Sequence, residues 1–123
     1  METATLKMSI LEEIVKDHAP LCAIVKKVGV TGSFARGEDY TEASDIDLVV
    51  DIEGEHFDKE ALWVAERIRK ILMDQFRKKV DFIKYDTIID RKDTPSNFYI
   101  QKGYRKMYED LIWLWRKEDE LYK

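Results

Sequence analysis

The sequence predicts an α/β (α+β) domain in which a small mixed β-sheet is backed by helices. Three observations carry this reading. Val28 to Thr31 is short and β-branched and runs at once into Gly32-Ser33, as a strand entering a turn does. Ser44 to Ile52 alternates and then becomes continuously apolar at Leu48-Val49-Val50, the pattern of a strand buried in a mixed sheet. Between it and a third strand, Val80 to Tyr85, lies Asp58 to Arg77. There Phe57, Ala61, Val64, Ala65, Ile68, Ile71, Leu72 and Phe76 fall within one arc at about 100° per residue. The strand, helix, strand order favours an α/β layer with the long helix covering one face.

The remaining elements are weaker. Ile10, Leu11, Ile14 and Val15 recur at helical spacing, and Pro20 interrupts a second apolar stretch, Leu21 to Val25, which predicts two short helices or one broken one. Thr94-Pro95 has the form of a capped helix start. Tyr104, Met107, Tyr108, Leu111, Ile112 and Trp115 then predict a last amphipathic helix over about 103–116, followed by a charged tail, Arg116 to Lys123, that frays. Two tryptophans fall off the apolar arcs of their helices. Trp63 stands among Lys59, Arg67 and Lys70, and Trp113 is set opposite the Tyr104 face, so both are expected at a homodimer or partner surface.

The chain has 123 residues, which suits one domain, 1–123, with a single core. With 45% hydrophobic residues it has material for that core, and 37% charged residues fit a soluble surface. A formal charge of -4 excludes an overall basic field for a nucleic-acid backbone, leaving only a local patch open. Nothing resembles a signal peptide or an apolar run of membrane-spanning length, so no membrane association and a cytoplasmic location are expected. Cys22 is the single cysteine and, between Leu21 and Ala23, reads as a core thiol.

The chemistry concentrates at two places. Gly32 and Ser33 sit where a strand ends and a helix is expected to begin, and a helix N-terminus offers free N–H groups to a phosphate. The Ser33 hydroxyl adds a donor and Arg36 a guanidinium able to grip a pair of phosphate oxygens. Alone, a Gly-Ser pair reads as no more than a helix cap. Asp45 and Asp47 change that, because alternate strand residues share a face and their carboxylates lie roughly 6.5 to 7 Å apart. Two like charges there repel and are costly to desolvate, so packing explains them badly. Magnesium explains them, since it takes oxygen ligands and is commonly completed by substrate phosphates.

Asp81, flanked by Val80 and Phe82, is the best third carboxylate, the alternative being an edge aspartate paired with Lys79 or Lys84. Asp51 shares the parity of Asp47 but lies about 13 Å further along the strand and is taken as a strand-end residue. His18 and His56 lack partners at metal-ligand spacing and read as surface or cap residues. Asp58-Lys59-Glu60 reads as a solvated helix start and Glu38-Asp39 as part of a polar loop.

Gly32 to Gly37, followed by Ser44-Asp45-Ile46-Asp47-Leu48, resembles the signature of the DNA polymerase beta-like nucleotidyltransferase superfamily, and in particular its minimal, antitoxin-like nucleotidyltransferases. The resemblance covers about residues 20–85, with the motifs in 28–85. It implies that Gly32, Ser33 and the neighbouring backbone hold the triphosphate of ATP or another NTP. It implies that Asp45 and Asp47 bind two Mg²⁺ ions and that Asp81 completes a catalytic triad. The implied reaction moves a nucleoside monophosphate, AMP from ATP, onto a hydroxyl of a protein or small molecule, with pyrophosphate leaving. A HEPN-type protein partner in a toxin–antitoxin pair is implied as well. Eleven residues separate Ser33 from Asp45, one more than is common in the family, which loosens the expectation for nucleotide choice. A second class is a non-catalytic nucleotide-binding antitoxin that sequesters its partner; three mutually repelling carboxylates argue against it. A nucleic-acid polymerase is a third, disfavoured by the absent basic field.

Overall fold

A computed structural model describes residues 5–37, 45–93 and 98–120. In chain order the elements are α1 (Met8–His18), β1 (Val25–Thr31), β2 (Ile46–Ile52), α2 (Lys59–Phe76), β3 (Val80–Lys84), α3 (Tyr85–Arg91), α4 (Phe98–Asp110), β4 (Ile112–Arg116) and α5 (Lys117–Glu120). The strands form one mixed sheet in the order β3-β2-β1-β4, with β1 antiparallel to both neighbours and β2 parallel to β3. No helix among the described residues is long and apolar enough to cross a membrane.

β2 explains the arrangement. Its Leu48-Val49-Val50 run has no polar face, so it is stable only with strands on both edges and helices on both faces. Leu48 and Val50 join Val28 and Val30 on the face covered by α1 and α2, where Leu11, Val15, Val64, Ile68 and Leu72 complete the main core. Val49 points the other way and is equally buried, and α3, with its buried Ile88, packs against β2. The parallel step from β2 to β3 needs a long crossover, and α2 supplies it.

α2 is set at both ends by local chemistry. The Asp58 side chain accepts the Ala61 N–H at 2.8 Å as a helix cap. At the other end Arg77 takes a left-handed conformation, φ 55°, and the Lys78 N–H closes on the Leu72 carbonyl at 3.1 Å. This agrees with the helix expected over Asp58 to Arg77.

Several expectations need correction. The last helix does not run over 103–116: α4 ends at Asp110 and the next residues turn back as β4 along β1. Ile112, Trp113 and Trp115 are β-branched or aromatic, and the outer edge of β1 would otherwise leave its backbone groups unpaired. Leu21 to Val25 is no second helix; Ala19–Leu21 is a short 3-10 turn containing Pro20, and β1 has already begun at Val25. The charged tail is partly ordered, Lys117–Glu120 forming α5. α3 follows β3 without a break and was not expected. Thr94-Pro95 lies outside the described residues.

Trp63 is 55% exposed, as its position on α2 predicts, with the Arg67 guanidinium 5.4 Å from its ring centroid. Trp113 is instead half-buried on β4, edge-on to Tyr85 at 5.0 Å and covered by the Lys27 ammonium at 4.3 Å. Its expected place at a surface followed from the wrong element.

The β1–β4 pairing has a direct check at Gly29, which faces Trp113 across the two strands. A Cβ there would lie 2.8 Å from the Ile112 carbonyl oxygen and 2.7 Å from Leu111 Cδ1. Gly29→Ala should therefore destabilise the protein by roughly 1–3 kcal/mol in urea unfolding. An unchanged midpoint would mean that β4 does not lie against β1 here.

Candidate functional site

Backbone pairing brings the sequence-selected residues to one end of the sheet. Thr31, the last residue of β1, is opposite Asp47, and Asp47 is level with Asp81 across the parallel β2–β3 pair. Neighbouring strands run about 4.8 Å apart, so Asp47 and Asp81 project side by side from the same face. Asp45 stands two residues before Asp47, just ahead of β2. Asp45 and Asp81 are exposed, whereas Asp47 is half-buried.

Gly32 follows Thr31 directly and is required for two reasons. Its φ of 78° lies in the left-handed region, and a Cβ would stand 2.8 Å from Asp47 Oδ2. The glycine turn is thus pressed against the central carboxylate. The helix expected after Gly32-Ser33 does not form. The segment makes a single turn, closed by Arg36 N–H to the Gly32 carbonyl at 3.2 Å and Gly37 N–H to the Phe34 carbonyl at 3.2 Å. Ser33 is half-buried within it. Any anion met here is met by turn N–H groups in a nest rather than by a helix dipole.

The electrostatics follow from the crowding. Burial raises the pKa of Asp47 above its ordinary 3.8, and the charges of Asp81 and Asp45 raise it further. Asp47 thus stands crowded beside two further acidic side chains, all three being hard oxygen donors. Among the described residues no three acidic, His or Cys side chains converge as a closed metal cluster. Asp45, Asp47 and Asp81 are neighbours at one end of the sheet. Among the described residues Asp81 makes no ion pair; the Lys84 ammonium donates instead to the Glu55 carbonyl at 2.6 Å.

Arg36 lies on the turn but its guanidinium is engaged, donating to Asp110 Oδ2 at 2.6 Å on the last residue of α4. Beside it the buried Thr31 hydroxyl donates to the Met107 carbonyl at 2.6 Å. Neither Asp110 nor Thr31 was singled out from sequence, where nothing links positions more than 70 apart. Asp51 sits at the opposite end of β2, buried, 3.7 Å from Lys26. His18 caps its own helix, Nδ1 lying 2.8 Å from the Ile14 carbonyl, and His56 is exposed. Cys22 is buried, and that burial raises its thiol pKa.

With this geometry in hand, comparison with known proteins is informative. The sequence profile described as "Nucleotidyltransferase domain" matches residues 8–113. No curated protein matches the chain. Among solved structures, the toxin–antitoxin complex MntA-HpeT is similar with a TM-score of 0.54 at 16% identity, over 95% of this chain and 81% of that one. A toxin–antitoxin structure with AMP-PNP gives 0.54 at 17% identity with the same coverage. A tri-AMPylated HEPN toxin in complex with its MNT antitoxin, from Shewanella oneidensis, gives 0.51 at 16%, over 94% of this chain and 80% of that one. At these identities the likeness is one of fold, and it agrees with the mixed four-stranded sheet.

The raised pKa of Asp47 has a sign that can be tested. A carboxyl whose pKa is higher in the folded state stabilises the fold while protonated, below the ordinary carboxylate range. That contribution is lost as pH rises through the raised value. At neutral pH the metal-free protein therefore carries a charged Asp47 at a cost. Asp47→Asn, which keeps the shape and drops the charge, should melt a few degrees higher than wild type at neutral pH, the gain shrinking on acidification. Equal melting temperatures throughout would show that Asp47 is not held in a crowded, half-dry position.

Proposed function

The chain belongs to the nucleotidyltransferase domain family, and from that premise we propose that it is a magnesium-dependent enzyme moving AMP from ATP onto a hydroxyl of a protein partner. The observation that carries this is the row Gly32, Asp47, Asp81, in which a glycine turn abuts Asp47 and Asp47 is level with Asp81. In this reading residues 1–123 act as one nucleotidyltransferase domain in the cytoplasm.

Asp45, Asp47 and Asp81 would hold the magnesium, their mutual repulsion supplying the affinity for a divalent cation. When bound, the metal neutralises phosphate charge and orients the transferred group. The Gly32-Ser33 turn receives the triphosphate oxygens through its backbone N–H groups and the Ser33 hydroxyl. Arg36 contributes charge at the far side of the turn. Asp81, exposed and level with Asp47, is placed to take the proton from the acceptor hydroxyl as that oxygen approaches the α-phosphate. We take the acceptor to lie on a HEPN-type partner, because the similar MNT antitoxin was solved with a toxin that carries AMP groups.

The alternative is a module that binds nucleotide and sequesters its partner without chemistry, and Asp81 separates the two. Magnesium-dependent ATP binding, followed by calorimetry, should vanish in excess chelator and in the Asp45→Asn, Asp47→Asn double variant. Asp81→Asn should keep much of that binding, yet transfer of labelled α-phosphate should fall by roughly a hundredfold or more. Equal transfer by a folded Asp81→Asn would remove Asp81 from the triad. No transfer by wild type, even to a co-expressed partner, would favour the sequestering module.

We further assign self-association to the α2 surface, where Trp63 and Leu62 are more than half exposed with no core to enter. Light scattering should report a dimer for the wild type and a monomer for Trp63→Glu. A monomer in both would leave this face to a foreign partner.

A further inference from the structure

We propose that Asp110 is a positioning residue for the nucleotide phosphates, acting through Arg36 to hold the phosphate turn in its receptive shape; this rests on the nucleotidyltransferase reading above. The last turn of α4 contains Glu109 and Asp110 and no basic residue. Negative charge at a helix C-terminus is opposed by the helix dipole. The helix itself therefore gives no reason for an aspartate at its final position.

The reason lies across the chain. Asp110 Oδ2 accepts from Arg36 at 2.6 Å, with the Asp110 side chain only 14% exposed, so the contact is a charge-assisted bond between two residues far apart in the chain. One turn earlier the Met107 carbonyl belongs to the terminal group that a helix leaves without an internal partner. It is satisfied by the Thr31 hydroxyl at 2.6 Å. Both donors come from one short stretch of chain, and they bracket Gly32-Ser33: Thr31 immediately before the turn, Arg36 at its far side. The end of α4 thus grips the turn at both of its ends.

This arrangement does two things for a triphosphate. It removes the freedom of a long arginine side chain before the ligand arrives, so less is lost on binding. It also fixes the far end of the turn, since the guanidinium carried there is tied to the end of α4. Asp110 itself, carrying negative charge, does not contact phosphate; its effect is wholly through Arg36 and the turn.

The test is a double-mutant cycle, read by titrating wild type, Asp110→Asn, Arg36→Ala and the double variant with magnesium and a non-hydrolysable ATP analogue. Asp110→Asn should weaken binding by roughly tenfold, the scale of one lost charge-assisted bond. In transfer assays it should raise KM for ATP with little change in kcat. Placed on Arg36→Ala it should add nothing further, and Asp110→Glu should restore part of the affinity. Thermal melting should stay near wild type, since an acidic residue leaves an unfavourable helix end. Unchanged affinity in folded Asp110→Asn would overturn the proposal, as would fully additive losses in the double variant. A wild type that binds no analogue with magnesium overturns the nucleotidyltransferase reading and this proposal together. A wild type that binds, with Asp110→Asn its equal, overturns this proposal alone.

Discussion

Like charges can be gathered at the end of a sheet only if the strands beneath them cannot slip, and the burial of β2 supplies that constraint. Its Leu48, Val49 and Val50 are covered on both faces, so a shift of one residue would drive Asp47 into the main core and Leu48 out of it. The register that puts Thr31, Asp47 and Asp81 in a row is thereby fixed by hydrophobic burial some distance from any chemistry. Burial of Asp47, and the charges of Asp81 and Asp45 beside it, oppose the arrangement, as its raised pKa records. The fold absorbs that opposition.

The same division explains what could be read from the sequence. β2, α2 and β3 were legible because each shows one unambiguous period, and α2 adds Asp58 as a cap at its start. The motif around Gly32 and the pair Asp45, Asp47 were legible because strand parity alone puts two carboxylates on one face. The level placement of Asp81 was a guess from sequence, since it depends on β3 pairing in parallel with β2 and in one register. α4 and β4 were fused because Tyr104, Met107, Tyr108 and Leu111 do follow a helical arc. Ile112 to Trp115 is also too short to announce a change of period against it. What decides the boundary is the open edge of β1, a tertiary fact. The bonds from Thr31 and Arg36 to α4 were out of reach for the same reason, as each spans more than 70 residues.

Placing a strand last has a structural return. β4 covers the edge of β1 on the side away from β2, and in doing so draws the end of α4 over the Thr31 end of the sheet. Trp113, lying against Tyr85 and under Lys27, ties this added strand to α3 on the outer face. The turn at Gly32 to Gly37 thereby gains a neighbour that neither β2 nor α2 could provide, and a bare β1–β2–α2–β3 unit would lack it.

Two glycines frame the turn after β1, and they differ in how freely the position can drift. Gly37 has φ 70° with nothing within 4 Å of a would-be Cβ, so asparagine or aspartate, which tolerate the left-handed region, fits there at modest cost. Gly32 combines φ 78° with Asp47 Oδ2 at 2.8 Å, and no other residue meets both conditions. Substitutions can therefore accumulate on the Gly37 side of the turn, while the Gly32 side stays anchored to the carboxylate. A lineage of such proteins would be free to vary the far side of this turn long before it could vary the point where the turn meets the sheet.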